Sequence, residues 1–207
     1  MKKPIAITVP NQWSAVTLKK YLELKKDMDN YAGEYEAVIA CMFHHLCEFP
    51  ADYIHKLDLK TYTDIVNDMT TFLAEVELPL QKFITIDGVE YGFEPNLSKM
   101  AYGAYVDITK YETIEINKQW AEIMSILYRP VTSKKGKLYD IKPYDGVIDD
   151  EKFLSVGMDV HFGAIFFFKT LLKDLLNFTL KYSAKEMETL SPNIRKILER
   201  SGNLIQA

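Results

Sequence analysis

Asp87-Gly88 lies between two runs rich in β-branched and aromatic residues, Lys82-Phe83-Ile84-Thr85-Ile86 and Val89-Glu90-Tyr91-Gly92-Phe93. A type I′ turn needs positive φ at both central residues, and Asp-Gly tolerates it, so the spacing predicts a β-hairpin over 82–93. A lone hairpin is marginal in water and must pack on something else. Ile5, Ile7 and Val9 alternate with Ala6 and Thr8, a pattern that offers a short N-terminal strand as a third member of a small antiparallel sheet.

The surroundings read as helical. A helix is expected from Ser14 as N-cap through Val16, Leu18, Tyr21, Leu22 and Leu24, ending near Asn30 and Gly33. A second covers Glu34 to Cys47, a short helical turn follows Pro50, and a third runs from Leu59 to Glu75. Beyond the hairpin, helical patterns span Leu97 to Tyr111 and Asn117 to Tyr128, the latter stopped by Pro130. Ser133 to Gly146 reads as a mobile loop with room for a strand at Leu138 to Ile141. From Asp149 to Tyr182 the pattern is one long or kinked helix, apolar nearly all round over 160–178, which demands enclosure by its own fold or by another chain. The expected fold is mainly α: a helical domain over 1–182 with a hairpin at 82–93, followed by a C-terminal arm over 183–207.

Bulk properties exclude several classes. The chain has 207 residues, 48% of them hydrophobic, a composition that buries a core without metal or disulfide support. A formal net charge of -4 disfavours nucleic acid as a partner. Two cysteines make no disulfide framework. The opening Met1 to Val9 begins like a signal peptide, but Pro10, Asn11 and Gln12 cut its apolar run short. The stretch Val160 to Phe168 is interrupted by His161 and Gly163 and followed by Lys169, so no membrane span is expected.

Residues able to do chemistry are present but poorly grouped. Cys41-Met42-Phe43-His44-His45-Leu46-Cys47 packs two thiols and two imidazoles into one helix. Cys41 and His45 share one face while His44 and Cys47 share another, so one helix cannot close a tetrahedral zinc site with all four. His55 or His161 would have to complete it, and a structural role is the better reading. Asp149 fits an N-cap, with Asp145, Asp150 and Glu151 nearby. Lys134-Lys135-Gly136-Lys137 lacks the interleaved aromatics of a nucleic-acid surface. Arg129 is expected to sit at a helix end, where the dipole favours a cation. No phosphate loop, EF-hand or nucleophile elbow is found, so no catalytic, cofactor or metal residues are assigned and no enzymatic activity is expected. What remains is aromatic density: 13 Tyr and 11 Phe, with Tyr91, Phe93, Tyr102, Tyr105 and Tyr111 crowded near the hairpin. Such residues enrich the centres of protein–protein interfaces.

Several segments together resemble a known group. These are Val9-Pro10-Asn11-Gln12-Trp13 with Thr17-Leu18-Lys19-Lys20-Tyr21, and the hairpin region Ile86 through Glu94-Pro95-Asn96-Leu97. Met100-Ala101-Tyr102-Gly103-Ala104-Tyr105-Val106-Asp107, Ile126-Leu127-Tyr128-Arg129-Pro130-Val131 and Gly157-Met158-Asp159-Val160-His161-Phe162 complete the set. The set is similar to small virion and assembly proteins of crAss-like tailed bacteriophages of gut Bacteroides, and more distantly resembles baseplate hub assembly proteins of T-even-type phages. The resemblance carries no catalytic residues. It implies a non-enzymatic structural component of a tailed-phage virion, at the portal, neck or tail or carried as cargo within the capsid. Its expected partners are other phage structural proteins and further copies of itself, and its expected locations are the virion and, during assembly, the host cytoplasm. The alternative is an assembly chaperone for a tail or baseplate protein, absent from the mature particle.

Overall fold

The computed structural model describes residues 7–74, 78–111, 115–117, 119–136 and 138–171. The fold is mainly α-helical around one four-stranded antiparallel sheet. Contacts divide the chain into two units, Met1–Phe166 and Phe167–Ala207. The expected boundary at 182/183, the helix beyond 171 and the arm lie outside the described residues.

In the first unit a 3-10 turn, Trp13–Ala15, precedes α1 (Leu18–Asn30). The N-cap of α1 is Thr17, whose hydroxyl accepts from the Lys20 amide at 3.3 Å, rather than the expected Ser14. Helix α2 (Tyr35–Cys47) packs on α1, and a 3-10 segment, Ala51–Lys56, leads to α3 (Leu59–Ala74). Met42, Phe43 and Leu46 of α2 are buried, with Met69 of α3, as the helical period requires.

Strands β1 (Phe83–Ile86) and β2 (Val89–Phe93) form the expected hairpin, with Asp87 at φ +50° and Gly88 at φ +76°. Positive φ at both positions is what a type I′ turn demands. The helix expected over 97–111 is instead a 3-10 turn, Leu97–Lys99, followed by α4 (Tyr102–Thr109).

The larger departure follows. Helix α5 (Trp120–Leu127) passes without a loop into β3 (Tyr128–Lys135), and β4 (Leu138–Ile141) returns alongside it. The sheet order is β1-β2-β3-β4, so the third and fourth strands come from 128–141 and not from the N-terminus, where residues 7–9 lie outside any strand. The helix ends at Leu127, one residue short of the expected Tyr128, and β4 has the bounds expected for a strand at Leu138–Ile141. The correction concerns β3: Pro130 lies inside a strand, and Ser133, Lys134 and Lys135, expected in a mobile loop, belong to it. Pro130 is tolerated inside β3 for a geometric reason. Its carbonyl accepts from the Lys142 amide at 2.8 Å, so its nitrogen faces the same way, just where the β3–β4 ladder starts. Its pairing with Tyr91 on the β2 side therefore loses no bond.

The helix expected from Asp149 is broken. Helix α6 (Asp150–Leu154) stops, Gly157 bridges to Thr17, and α7 begins at 158 and covers 158–166 in the first unit. A Cβ on Gly157 would lie 2.8 Å from Ser14 Cα, which explains glycine where two backbone segments touch. Met158, Val160, His161, Phe162, Ala164 and Ile165 of α7 are buried within the first unit, so the start of this helix is enclosed by its own chain. In the second unit residues 167–171 are helical, and the rings of Phe167 and Phe168 meet edge to face. Among the described residues no helix is long and apolar enough to cross a membrane.

Candidate functional site

The cysteine–histidine segment of α2 is knitted into the fold. His45 Nε2 lies 2.8 Å from Asp27 Oδ2, joining α2 to α1. Cys47 Sγ approaches Met69 Sδ at 3.6 Å, joining α2 to α3. Burial raises the Cys47 thiol to about 11, which suppresses the thiolate that a nucleophile or metal ligand needs. Cys41 is also raised, first by burial and then by the Asp27 charge. His161, considered as a distant fourth ligand, is committed elsewhere: Trp120 Nε1 donates to its Nδ1 at 3.1 Å, and its Nε2 lies 3.1 Å from the Phe153 carbonyl. Among the described residues no three His, Cys, Asp or Glu side chains converge to hold a metal ion.

The acidic and basic candidates are likewise engaged with the fold. Asp149 occupies the N-cap position of α6 but makes no capping hydrogen bond; its carboxylate pairs with Lys152 at 2.5 Å instead. Lys134 pairs with Glu90 at 2.8 Å and lies 3.6 Å over the Phe83 ring, so it braces the sheet. Arg129 departs most from expectation. It does follow the end of α5, by two residues, but it lies inside β3, its side chain 10% exposed, in an ion pair with Glu94 at 8%. Strand register brings the two together. Arg129 is opposite Gly92, and Glu94, the residue after β2, is two positions beyond Gly92 in the same extended direction. Glu94 also accepts from the Asn96 amide at 3.3 Å. No local signal reveals such a pair, because its members are 35 residues apart.

The aromatic residues near the hairpin separate into three groups. Tyr91 and Phe93 enter the core, where the Phe93 and Tyr128 rings lie 5.2 Å apart. Tyr111 donates to Glu122, and burial followed by that contact raises its phenol strongly. Tyr144 performs a similar task, donating to Asp107 of α4 at 2.5 Å, with its own phenol pushed to about 12 by burial and then by that carboxylate. Tyr102 and Tyr105 face solvent, 80% and 57% exposed, and Val106 joins them. Residues at 102, 105 and 106 fall on one side of a helix, so α4 presents a contiguous apolar and aromatic face. Its opposite side is held down by Ala104, which is buried, and by the Tyr144 ring 3.6 Å from where a Gly103 Cβ would stand.

A second apolar surface lies between α2, the 3-10 segment and α3. There Ile39, Ala40, Ile54, Leu57, Leu59 and Tyr62 line a groove of about 470 Å³. Leu59, at its rim, is 79% exposed. Glu36 and His55 also line this groove. Both surfaces are suited chemically to association. No family model, curated protein or solved structure matches the chain.

Proposed function

We propose that this chain is a non-enzymatic component of a tailed-phage particle that works by docking to neighbouring proteins and to copies of itself. The observation that carries the reading is the exposed Tyr102, Tyr105 and Val106 face of α4. It lies inside Met100 to Asp107, one of the segments on which the resemblance to phage virion and assembly proteins rests. An exposed aromatic face of this kind is stabilised by being covered. If copies close into a ring, the contacts are heterologous, with the α4 face meeting a different face of the next copy.

The test has two arms. In light scattering after size exclusion, the chain is expected to associate with rising concentration, and Tyr102→Ser/Tyr105→Ser to weaken that association at least tenfold with its melting temperature unchanged. A strictly monomeric chain at about 100 µM removes self-association from the proposal. In mass spectrometry of purified particles from an infected culture, a structural component is present at fixed stoichiometry. Its presence in the lysate, bound to a tail or baseplate protein but missing from the particle, replaces the structural role with that of a chaperone.

A further inference from the structure

The guanidinium of Arg129 is incompletely satisfied. Glu94 engages Nη2, while Nε and Nη1 are buried and have no hydrogen-bond partner among the described residues. Leaving charged donors buried and unpaired is costly, so such groups point to an acceptor supplied from outside the chain. Arg129 forms part of the wall of a pocket of about 160 Å³ under the segment that follows β4. Tyr91, Pro130, Tyr144 and Phe153 give that pocket an apolar and aromatic lining. The Tyr144 ring centre is 5.9 Å from the Arg129 guanidinium carbon, on the cation–π margin.

Two further cations, Lys142 and Lys152, border the same space, together with the carboxylates of Asp145 and Asp149. Their present partners, Asp145 at 2.8 Å and Asp149 at 2.5 Å, are half-exposed carboxylates, and pairs of that kind are weak enough to be exchanged for a ligand. A cavity of about 150 Å³ accommodates a single six-membered ring. Orphan guanidinium donors favour a planar oxyanion over a neutral acceptor.

We propose that this pocket binds a carboxylate carried on a ring-sized apolar body, with Arg129 as the residue that recognises the charge. Either of two sources supplies that chemistry: a free aromatic acid, or the C-terminal residue of a polypeptide. The inference is independent of the α4 face and of any role in a phage particle.

The chain has three arginines, Arg129, Arg195 and Arg200, so its arginine Nε–H signals are readily resolved by ¹H–¹⁵N NMR. Titration with benzoate or with N-acetyl-phenylalanine is expected to move one of them saturably, and Arg129→Lys removes that signal and so assigns it. Arg129→Lys keeps a cation for Glu94, so the fold is expected to survive, with unchanged dispersion of the amide spectrum, while affinity falls at least tenfold. Benzamide, equal in size to benzoate and uncharged, is expected to bind at least tenfold more weakly. Response to benzoate identifies the free acid as the source, and response to N-acetyl-phenylalanine alone identifies a chain terminus. No saturable shift with either up to about 20 mM overturns the proposal. So does equal binding of benzamide, or a response of wild-type strength in Arg129→Lys measured through the backbone amides around the pocket. Should Arg129→Lys unfold, the benzoate–benzamide comparison on the unaltered chain decides the matter.

Discussion

The His161 ring is held in one tautomer by its two neighbours. Trp120 Nε1–H donates to Nδ1, so the ring proton resides on Nε2 and is donated to the Phe153 carbonyl. A second proton on Nδ1 would face the indole N–H, and burial, the larger cause, disfavours the charge, so the ring is lowered to about 4. The unfolded chain takes up a proton near pH 6.5 that the folded chain refuses. Stability from this group is therefore complete above about pH 6.5 and is lost progressively as pH falls towards 4. Urea denaturation at pH 7 and at pH 4.5 is expected to show a loss of roughly 2 to 3 kcal/mol from this residue. His161→Gln retains a donor and an acceptor without titrating, so the variant is expected to lose that much less between the two pH values. Equal losses in both proteins would mean that the ring is not held neutral. The sequence placed His161 within an apolar run, but its partners come from α5 and α6, which no local pattern joins.

Elements here are positioned by close backbone approach as much as by side-chain packing. Gly163 sits in α7 where an added Cβ would collide with the Pro79 carbonyl oxygen and lie 3.3 Å from Leu80 Cα. Alanine in a helix interior ordinarily gains about 0.5 to 1 kcal/mol over glycine. Overpacking against rigid backbone costs about 1 to 3 kcal/mol, so the steric cost is the larger. Gly163→Ala is expected to lower unfolding free energy by roughly 1 to 2 kcal/mol in a denaturant titration, and a gain would show that Pro79 yields.

The hairpin and α2 were legible because their signals are local: an Asp-Gly turn, and an apolar repeat with helical spacing. Strand β3 was not legible. Its first residues, Tyr128 and Arg129, are buried, but Ser133, Lys134 and Lys135 are exposed and have the composition of a loop. Pro130 adds to the loop-like composition, since its tolerance inside a strand depends on where the β4 ladder begins. The absence of local signal extends to the Arg129 pocket, whose walls are assembled from β2, α5, β3, α6 and the segment after β4.

At the scale of the whole first unit, Trp13 ties distant parts of the chain together. Its ring stacks on Phe72 of α3 at 4.3 Å and meets Phe162 of α7 edge-on at 4.8 Å and Tyr21 of α1 at 6.1 Å. Trp120, the other of the chain's two tryptophans, is fully buried in a separate cluster with His161. Trp13→Ala is expected to cost about 3 to 5 kcal/mol. The emission of Trp120 should report the loss at the same lowered midpoint, because one cooperative unit holds both rings. An unchanged Trp120 transition would divide that unit in two.

The direct passage from Leu127 of α5 into Tyr128 of β3 leaves no slack between two elements of different period. One residue inserted at that joint would either swing the helix about 100° on its axis or invert every side chain of the strand. Inversion would exchange the places of Tyr128 and Arg129, taking the phenol out of the apolar core and the guanidinium away from Glu94. A one-residue insertion at this seam is therefore expected to disrupt the fold, whereas one at the exposed Gly136 turn is expected to be tolerated.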